Sequence, residues 1–165
     1  MMMTQNQRII AQKDELIHQL SWNDGFGCFN RKGFEKMKWP EIASTARHIV
    51  YFDIDGMHAL NEAHGGYELV DSMIRQVLSS VRSSDYIAGQ WKSGDEFLIC
   101  LTENPDHGPL DPDGLVKRLT EEFAKMGMTA TFATVDVKST DLLENVQPAV
   151  DRVYAAKKAR GSMSR

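Results

Sequence analysis

The chain has 165 residues, 42% of them apolar and 25% charged, with a formal net charge of −4. This is the length of one domain with ordinary globular composition, and it excludes disordered, collagen-like and repeat classes. The acidic balance excludes bulk nucleic-acid binding, which draws on a basic face; a site for a single nucleotide is not excluded.

In chain order, residues 5–20 read as a helix, with Ile9, Ile10, Leu16, Ile17 and Leu20 and the Lys13 stem near a 3.6-residue period. Four turns are marginal alone, so this helix is expected to pack on the domain or on a copy of itself. It is taken as a unit, 1–20, apart from a domain at 21–165. Gly25 and Gly27 break the pattern over 21–30. Residues 31–39 predict a short amphipathic helix that stops before Pro40.

His48 to Ile54 predicts a strand from its β-branched and aromatic content. Gly56 and a helical turn over 58–64 follow. Ile74, Val77, Leu78 and Val81 set the apolar face of a helix over 67–82. Asp85–Trp91 and Glu96–Leu101 predict two strands joined at Lys92-Ser93-Gly94-Asp95 as a hairpin. Pro105, Pro109 and Pro112 make 104–114 a loop. A helix over 115–126 ends at Gly127, Thr129–Val137 predicts a strand, and a last helix covers 139–159.

A hairpin flanked by crossover helices is the split βαβ arrangement, so an α+β, ferredoxin-like βαββαβ core is expected. Its sheet is central and mainly antiparallel, with helices mainly on one face. The longest apolar runs, Ile49-Val50-Tyr51-Phe52 and Phe97-Leu98-Ile99-Cys100-Leu101, fall far short of the roughly 20 residues that span a bilayer. No membrane insertion is expected. The polar first residues carry no signal-type stretch. Cys28 and Cys100 stand in no metal or redox spacing, so a reduced, cytoplasmic protein is the expectation.

Two carboxylate pairs carry possible chemistry: Asp53-Ile54-Asp55 at the end of the first long strand, and Asp95-Glu96 at the hairpin. In a βαββαβ order these strand ends can converge. Facing carboxylates repel unless a cation lies between them, and Mg²⁺ takes such hard oxygen ligands together with phosphates. Metal ions between carboxylates and a triphosphate are the arrangement of in-line nucleotidyl transfer. The plain alternative is that Asp53 and Asp55 end a strand and cap a helix, while Gly94-Asp95 is an ordinary turn. A second candidate, His58, Glu62 and His64, lacks a further ligand pattern. Cys100 lies inside an apolar strand and reads as core.

The words around these pairs add a resemblance. Ser93-Gly94-Asp95-Glu96-Phe97 resembles the hallmark of the GGDEF domains, the bacterial diguanylate cyclases, with serine for the first glycine. Phe52 to Gly65 is similar to the family's Asp-x-Asp-x-Phe-Lys-x-Ile-Asn-Asp-x-x-Gly. Residues 27–34 resemble its Gly-Leu-x-Asn-Arg-Arg-x-Phe. Ala149 to Lys157 resembles Ala-Asp-x-Ala-Leu-Tyr-x-Ala-Lys. The blocks occur in family order over about residues 20 to 160.

The resemblance implies a fold of nucleotide-cyclase and polymerase-palm type. It implies condensation of two GTP into cyclic di-GMP, with release of pyrophosphate, by two domains facing each other as a homodimer. Mg²⁺ or Mn²⁺ would be held by Asp53, Asp95 and the Ile54 carbonyl, with Glu96 beside them. Ser93 and Gly94 would bring backbone close to the nucleotide. Asn61 matches a guanine-reading asparagine and Lys157 a triphosphate-binding lysine; as a point charge, Lys157 suits phosphate. Arg160, in Lys157-Lys158-Ala159-Arg160-Gly161-Ser162, stands near a phosphate position with Arg and Gly exchanged.

The departures are specific. His58 stands where the family has a phosphate-binding lysine, and Asn23 where it has an early aspartate. The second guanine-reading position falls on Val70 without a gap and on Asp71 with a one-residue insertion. The insertion also aligns Ile74, Val77, Leu78 and Val81 with the family's apolar face, which favours Asp71. Arg82-Ser83-Ser84-Asp85 matches the Arg-x-x-Asp word of the product-inhibition site, where cyclic di-GMP would bind, but stands two residues farther from the hallmark. Three functions follow as expectations: an active cyclase, a degenerate module that binds GTP or cyclic di-GMP, and a dimerisation domain.

Overall fold

The computed structural model describes residues 2–161. Helix α1 (Gln5–Ser21) is opened by Thr4, whose hydroxyl accepts from the Gln7 amide while the Gln7 side chain accepts from the Thr4 amide, the reciprocal cap that satisfies two end donors. It leads into two short strands, β1 (Trp22–Asn23) and β2 (Cys28–Asn30). Only Ser21 of α1 is buried. Its end lies so close to the next helix that a Cβ on Gly33 would meet the Ser21 carbonyl oxygen at 2.2 Å.

The helix expected to stop before Pro40 continues past it. It runs as α2 (Arg31–Gly33), a π-helical turn over Phe34–Lys38, and α3 (Trp39–Ile42). The π turn shifts the hydrogen-bond frame, so the Trp39 amide reaches back to the Phe34 carbonyl. Pro40 then falls in the first turn of α3, where a missing N–H costs little.

Then come β3 (Ala46–Ile54), α4 (Met57–Ala63), α5 (Tyr67–Leu78), β4 (Tyr86–Gly89), β5 (Glu96–Thr102), α6 (Pro112–Lys125), β6 (Ala130–Asp136) and α7 (Leu142–Ala159). The six strands form one sheet in the order β1-β2-β4-β5-β3-β6. All pairings are antiparallel except β2 with β4. This is the α+β, ferredoxin-like arrangement, with the β4–β5 hairpin beside β3 at the centre.

The helices cover both faces, which corrects the expectation of one. Ile49 and Tyr51 of β3 and Leu98 and Cys100 of β5 pack against Val146, Val150 and Val153 of α7. Val50, Phe52, Phe97 and Ile99 point the other way, toward Ile74 of α5 and Leu119 and Phe123 of α6. All seven residues of β5 are buried. A strand covered on both faces reads as a continuous apolar run rather than an alternating one, and β5 does so from Phe97 to Leu101. No helix among the described residues is long and apolar enough to cross a membrane.

Candidate functional site

The site forms where β3 and β5 end together. Asp53 and Glu96 are direct cross-strand partners, and the period of two puts Tyr51, Asp53 and Glu96 on one face. That face is the one under α7. Among the described residues, Asp53, Asp95 and Glu96 form the cluster able to hold a metal, with ligand oxygens all within 4.8 Å of one another. The Asp95 carbonyl accepts from the Ile54 amide at 2.9 Å, which ties the hairpin tip to the end of β3.

Lys157 reaches this cluster from α7. It continues the buried stripe of Val146, Val150 and Val153 by one more turn. Its Nζ lies 2.5 Å from Asp53 Oδ1, 3.4 Å from the Ile54 carbonyl and 3.2 Å from Asp55 Oδ1. A protein cation thus sits on Asp53 and the Ile54 carbonyl, two of the predicted metal ligands. Asp55 turns toward Thr129 and Thr131, whose hydroxyls donate to it at 2.9 Å. Arg160 donates to Thr131 Oγ1 and stands 3.6 Å from Asp55. Ser162, the last residue of the C-terminal motif, lies outside the described residues.

Burial pushes the Asp53 carboxyl up to about 7, and neighbouring Asp95 and Glu96 add to the rise against the Lys157 ammonium. Asp55 goes the other way: burial raises it, but the two threonine hydroxyls and Lys157 outweigh that and hold it below the usual carboxylate range. Glu96 is 1% exposed. It accepts from the Tyr51 and Tyr154 hydroxyls and, at 2.5 Å, from Ser93 Oγ. Ser93 Oγ lies equally close to Asp95 Oδ1, so one hydroxyl spans both hairpin carboxylates. Three carboxylates and a backbone carbonyl form an all-oxygen donor set, which fits a hard divalent cation.

Beside the cluster opens a cleft of about 410 Å³ lined by Met57, His58, Asn61, Tyr67, Asp71, Gln90, Gly94 and Asp95. Asn61 Oδ1 is buried there without a hydrogen-bond partner. Such orphaned buried acceptors are rare in folded proteins and call for an explanation, such as strain, a catalytic role or a bound water or ion. Asp71 lies in the cleft and burial raises its carboxyl, whereas Val70 is fully buried in the core. The His58 imidazole is 90% exposed and pairs with Glu62 at 3.2 Å.

Other predicted residues lie elsewhere. Arg82 grips Asp85 with two bonds of 2.9 Å and also donates to the carbonyls of Thr102 and His107. This pair sits at the far end of β4, beside a separate cavity that includes His107 and Arg118. Between this pair and the hallmark lie β4 and the 90–95 loop, which borders the cleft. Cys28 and Cys100 are buried, and burial pushes both thiols up to about 12, so neither is a nucleophile. Residue-type patterns did not flag Tyr51 or Tyr154 as carboxylate partners; their place on the Asp53–Glu96 face is the signal that could have found Tyr51.

A pH dependence follows. A raised Asp53 carboxyl keeps in the folded state a proton that the unfolded chain has already lost. Metal-free stability therefore falls as pH rises from about 4 through about 7. A cation that replaces this proton stabilises more as pH rises. Thermal unfolding with and without Mn²⁺ is expected to show a larger shift at pH 8 than at pH 6; equal shifts would contradict a metal seat on Asp53.

No protein-family model matches the chain. The uncharacterized protein y4lL of Sinorhizobium fredii is 29% identical over 103 residues, which is 58% of this chain and only 12% of that relative's length. Solved structures show the fold clearly. A microbial GGDEF domain described with bis-(3,5)-cyclic di-GMP superposes with a TM-score of 0.69 at 16% identity, covering 87% of this chain and 94% of that one. The coiled coil and GGDEF domain of DgcB from Caulobacter crescentus, in complex with c-di-GMP, gives 0.67 at 14% identity, covering 96% and 91%. The chain has the GGDEF-domain fold.

Proposed function

We propose that this chain is a GGDEF domain of diguanylate cyclase type, which binds GTP with Mg²⁺ or Mn²⁺ and condenses two GTP into cyclic di-GMP. The observation that carries the reading is the convergence of Asp53, Asp95 and Glu96 beside a cleft with an orphaned Asn61 acceptor. A cation on this donor set would neutralise charge on the triphosphate as the new phosphate ester forms.

The chain's own groups do the rest. Asn61 and Asp71 accept from the guanine edge. Gly94 lets the nucleotide approach the backbone, and Lys157 and Arg160 supply positive charge for the phosphates. One cleft holds one GTP, so closing the ring needs a second domain. Helix α1 offers the means: Ile9, Ile10, Leu16, Ile17 and Leu20 are all at least 42% exposed. Ile9, Lys13, Leu16 and Leu20 follow the alternating three- and four-residue steps of a coiled-coil seam, which fits a second copy. Removal of residues 1–20 is expected to lower turnover at low protein concentration while GTP affinity stays unchanged. Equal turnover with and without the helix would contradict this role.

Asp71→Ala is expected to raise the GTP Michaelis constant and to relax discrimination against ATP, with the chemical step less affected. An unchanged preference would remove Asp71 from the guanine site. A second reading, a nucleotide-binding module without turnover, is favoured by one observation: His58 stands where the resemblance implies a phosphate-binding lysine, and its exposed imidazole pairs with Glu62. Incubation with GTP and Mg²⁺, followed by chromatography of the products, separates the two readings. In the Arg82–Asp85 region, bound cyclic di-GMP would have to break a pair that is already closed.

A further inference from the structure

We propose that Gln90 is a specificity-determining residue of the nucleotide cleft, held by Asn23 so that its side-chain amide group donates to the base and favours guanine over adenine. The inference rests on the guanine reading of the cleft above and adds a residue that the family's motifs do not contain.

Gln90 is the only described non-glycine residue with positive φ, at 53°. A side chain in that left-handed region is uncommon and costly, and such outliers gather at binding sites. The backbone on either side fixes the position. Gly89 is crowded, since a Cβ there would meet Cys28 Sγ at 3.0 Å and Phe97 at 3.3 Å. Trp91 is 2% exposed, Arg31 stacks on its ring at 4.7 Å, and the same guanidinium donates to its carbonyl at 3.1 Å. Between these anchors, Gln90 turns its side chain into the lining of the cleft with Asn61, Asp71 and Gly94.

Its amide is also oriented. Asn23 Nδ2 donates to Gln90 Oε1 at 3.0 Å, while Asn23 Oδ1 accepts from the Phe26 amide at 3.1 Å. Gln90 Oε1 is thereby engaged, and Nε2 lies over Gly94, 3.8 Å from where its Cβ would be. The Asp71 carboxylate borders the same small space: a Cβ on Gly25 would contact both Asn23 Oδ1 and Asp71 Oδ2. The cleft therefore offers a donor from Gln90 and acceptors from Asp71 and Asn61. Guanine presents O6 as an acceptor where adenine presents an amino donor, so a fixed N–H donor at this edge rejects adenine.

Asn23 is a positioning residue, and its identity matters. A carboxylate at position 23 could still accept from Phe26 but has no proton for Gln90 Oε1. It would take Nε2 instead and turn the acceptor oxygen toward the base. The asparagine in place of the family's aspartate and the left-handed Gln90 thus work together.

The test is calorimetric titration of the wild type, Gln90→Ala, Gln90→Gly and Asn23→Asp with α,β-methylene-GTP and α,β-methylene-ATP in Mg²⁺, alongside thermal unfolding. The wild type is expected to prefer the guanine analogue, and each variant to lose about 5- to 10-fold of that preference, the worth of one neutral hydrogen bond. Gln90→Gly is expected to unfold at a higher temperature than the wild type while losing selectivity, which separates the strain from the contact. Wild-type preference retained in Gln90→Ala and Asn23→Asp would overturn the inference and leave the guanine reading standing. A wild type with no preference would overturn the guanine reading and this inference with it.

Discussion

Asp95→Ala is expected to lower turnover by about 10²–10³-fold, the loss typical when one electrostatic contact to a developing charge is removed. The same substitution should leave the metal-free chain at least as stable as the wild type. Asp95 raises its neighbour Asp53 by like-charge repulsion, and it sits in the hairpin loop just before β5, where side-chain loss removes no core contact. Its backbone carbonyl, which holds the Ile54 amide at 2.9 Å, survives in alanine. Activity and stability therefore move in opposite directions. Loss of activity accompanied by a lower unfolding temperature would mean that the carboxylate supports the fold rather than the reaction.

Lys157→Met is expected to destabilise the metal-free chain by about 3–5 kcal/mol at pH 8, the usual cost of leaving one partner of a buried ion pair uncompensated. The Lys157 and Asp53 side chains are only 8% and 9% exposed, and their charged atoms lie 2.5 Å apart. Near pH 5 the cost should shrink. Asp53 already holds its proton in the folded state at that pH, since burial has moved its carboxyl up to about 7. Without Lys157 the carboxyl rises further, so the penalty sets in above the ordinary carboxylate range and grows with pH. Added Mn²⁺ should recover part of the loss at pH 8 by supplying the missing positive charge. Urea unfolding at pH 5 and pH 8, with and without Mn²⁺, measures all three effects. An equal cost at both pH values would show that the lysine contributes packing alone.

Much of this architecture was legible in the residues because local patterns agreed with the fold. The alternation that puts Tyr51 and Asp53 on one face of β3, and the 3.6-residue stripe that brings Lys157 down α7, are both readable by counting. So is the meeting of Asp53 with Asp95 and Glu96, once the βαββαβ order is granted. Strands β1 and β2 were not legible. At two and three residues they are too short for any period, and they exist because Phe29 and Asn30 pair with distant Ala88 and Gly89.

Pro40 misleads for a related reason: its usual meaning as a helix stop is overridden by a π turn, which packing of Phe34 and Trp39 stabilises. Helices on both faces follow from β5, whose unbroken apolar run from Phe97 to Leu101 signals two-sided cover. In the site, Asn61 and Asp71 could be proposed from their motif, but the orphaned acceptor and the burial of Val70 beside Asp71 are tertiary facts. Gln90 was invisible in sequence, because nothing local to Gly89-Gln90-Trp91 announces a left-handed backbone.

Under the proposed function, two copies of this site join two guanine nucleotides. The most direct measurement is mass-spectrometric analysis of the full chain incubated with GTP and Mg²⁺, with pyrophosphate counted in the same reaction. Cyclic di-GMP is expected with two pyrophosphates per product, at a rate per chain that rises with protein concentration and falls by about 10²–10³-fold in Asp95→Ala. GTP bound tightly but recovered unchanged at every protein concentration would contradict it.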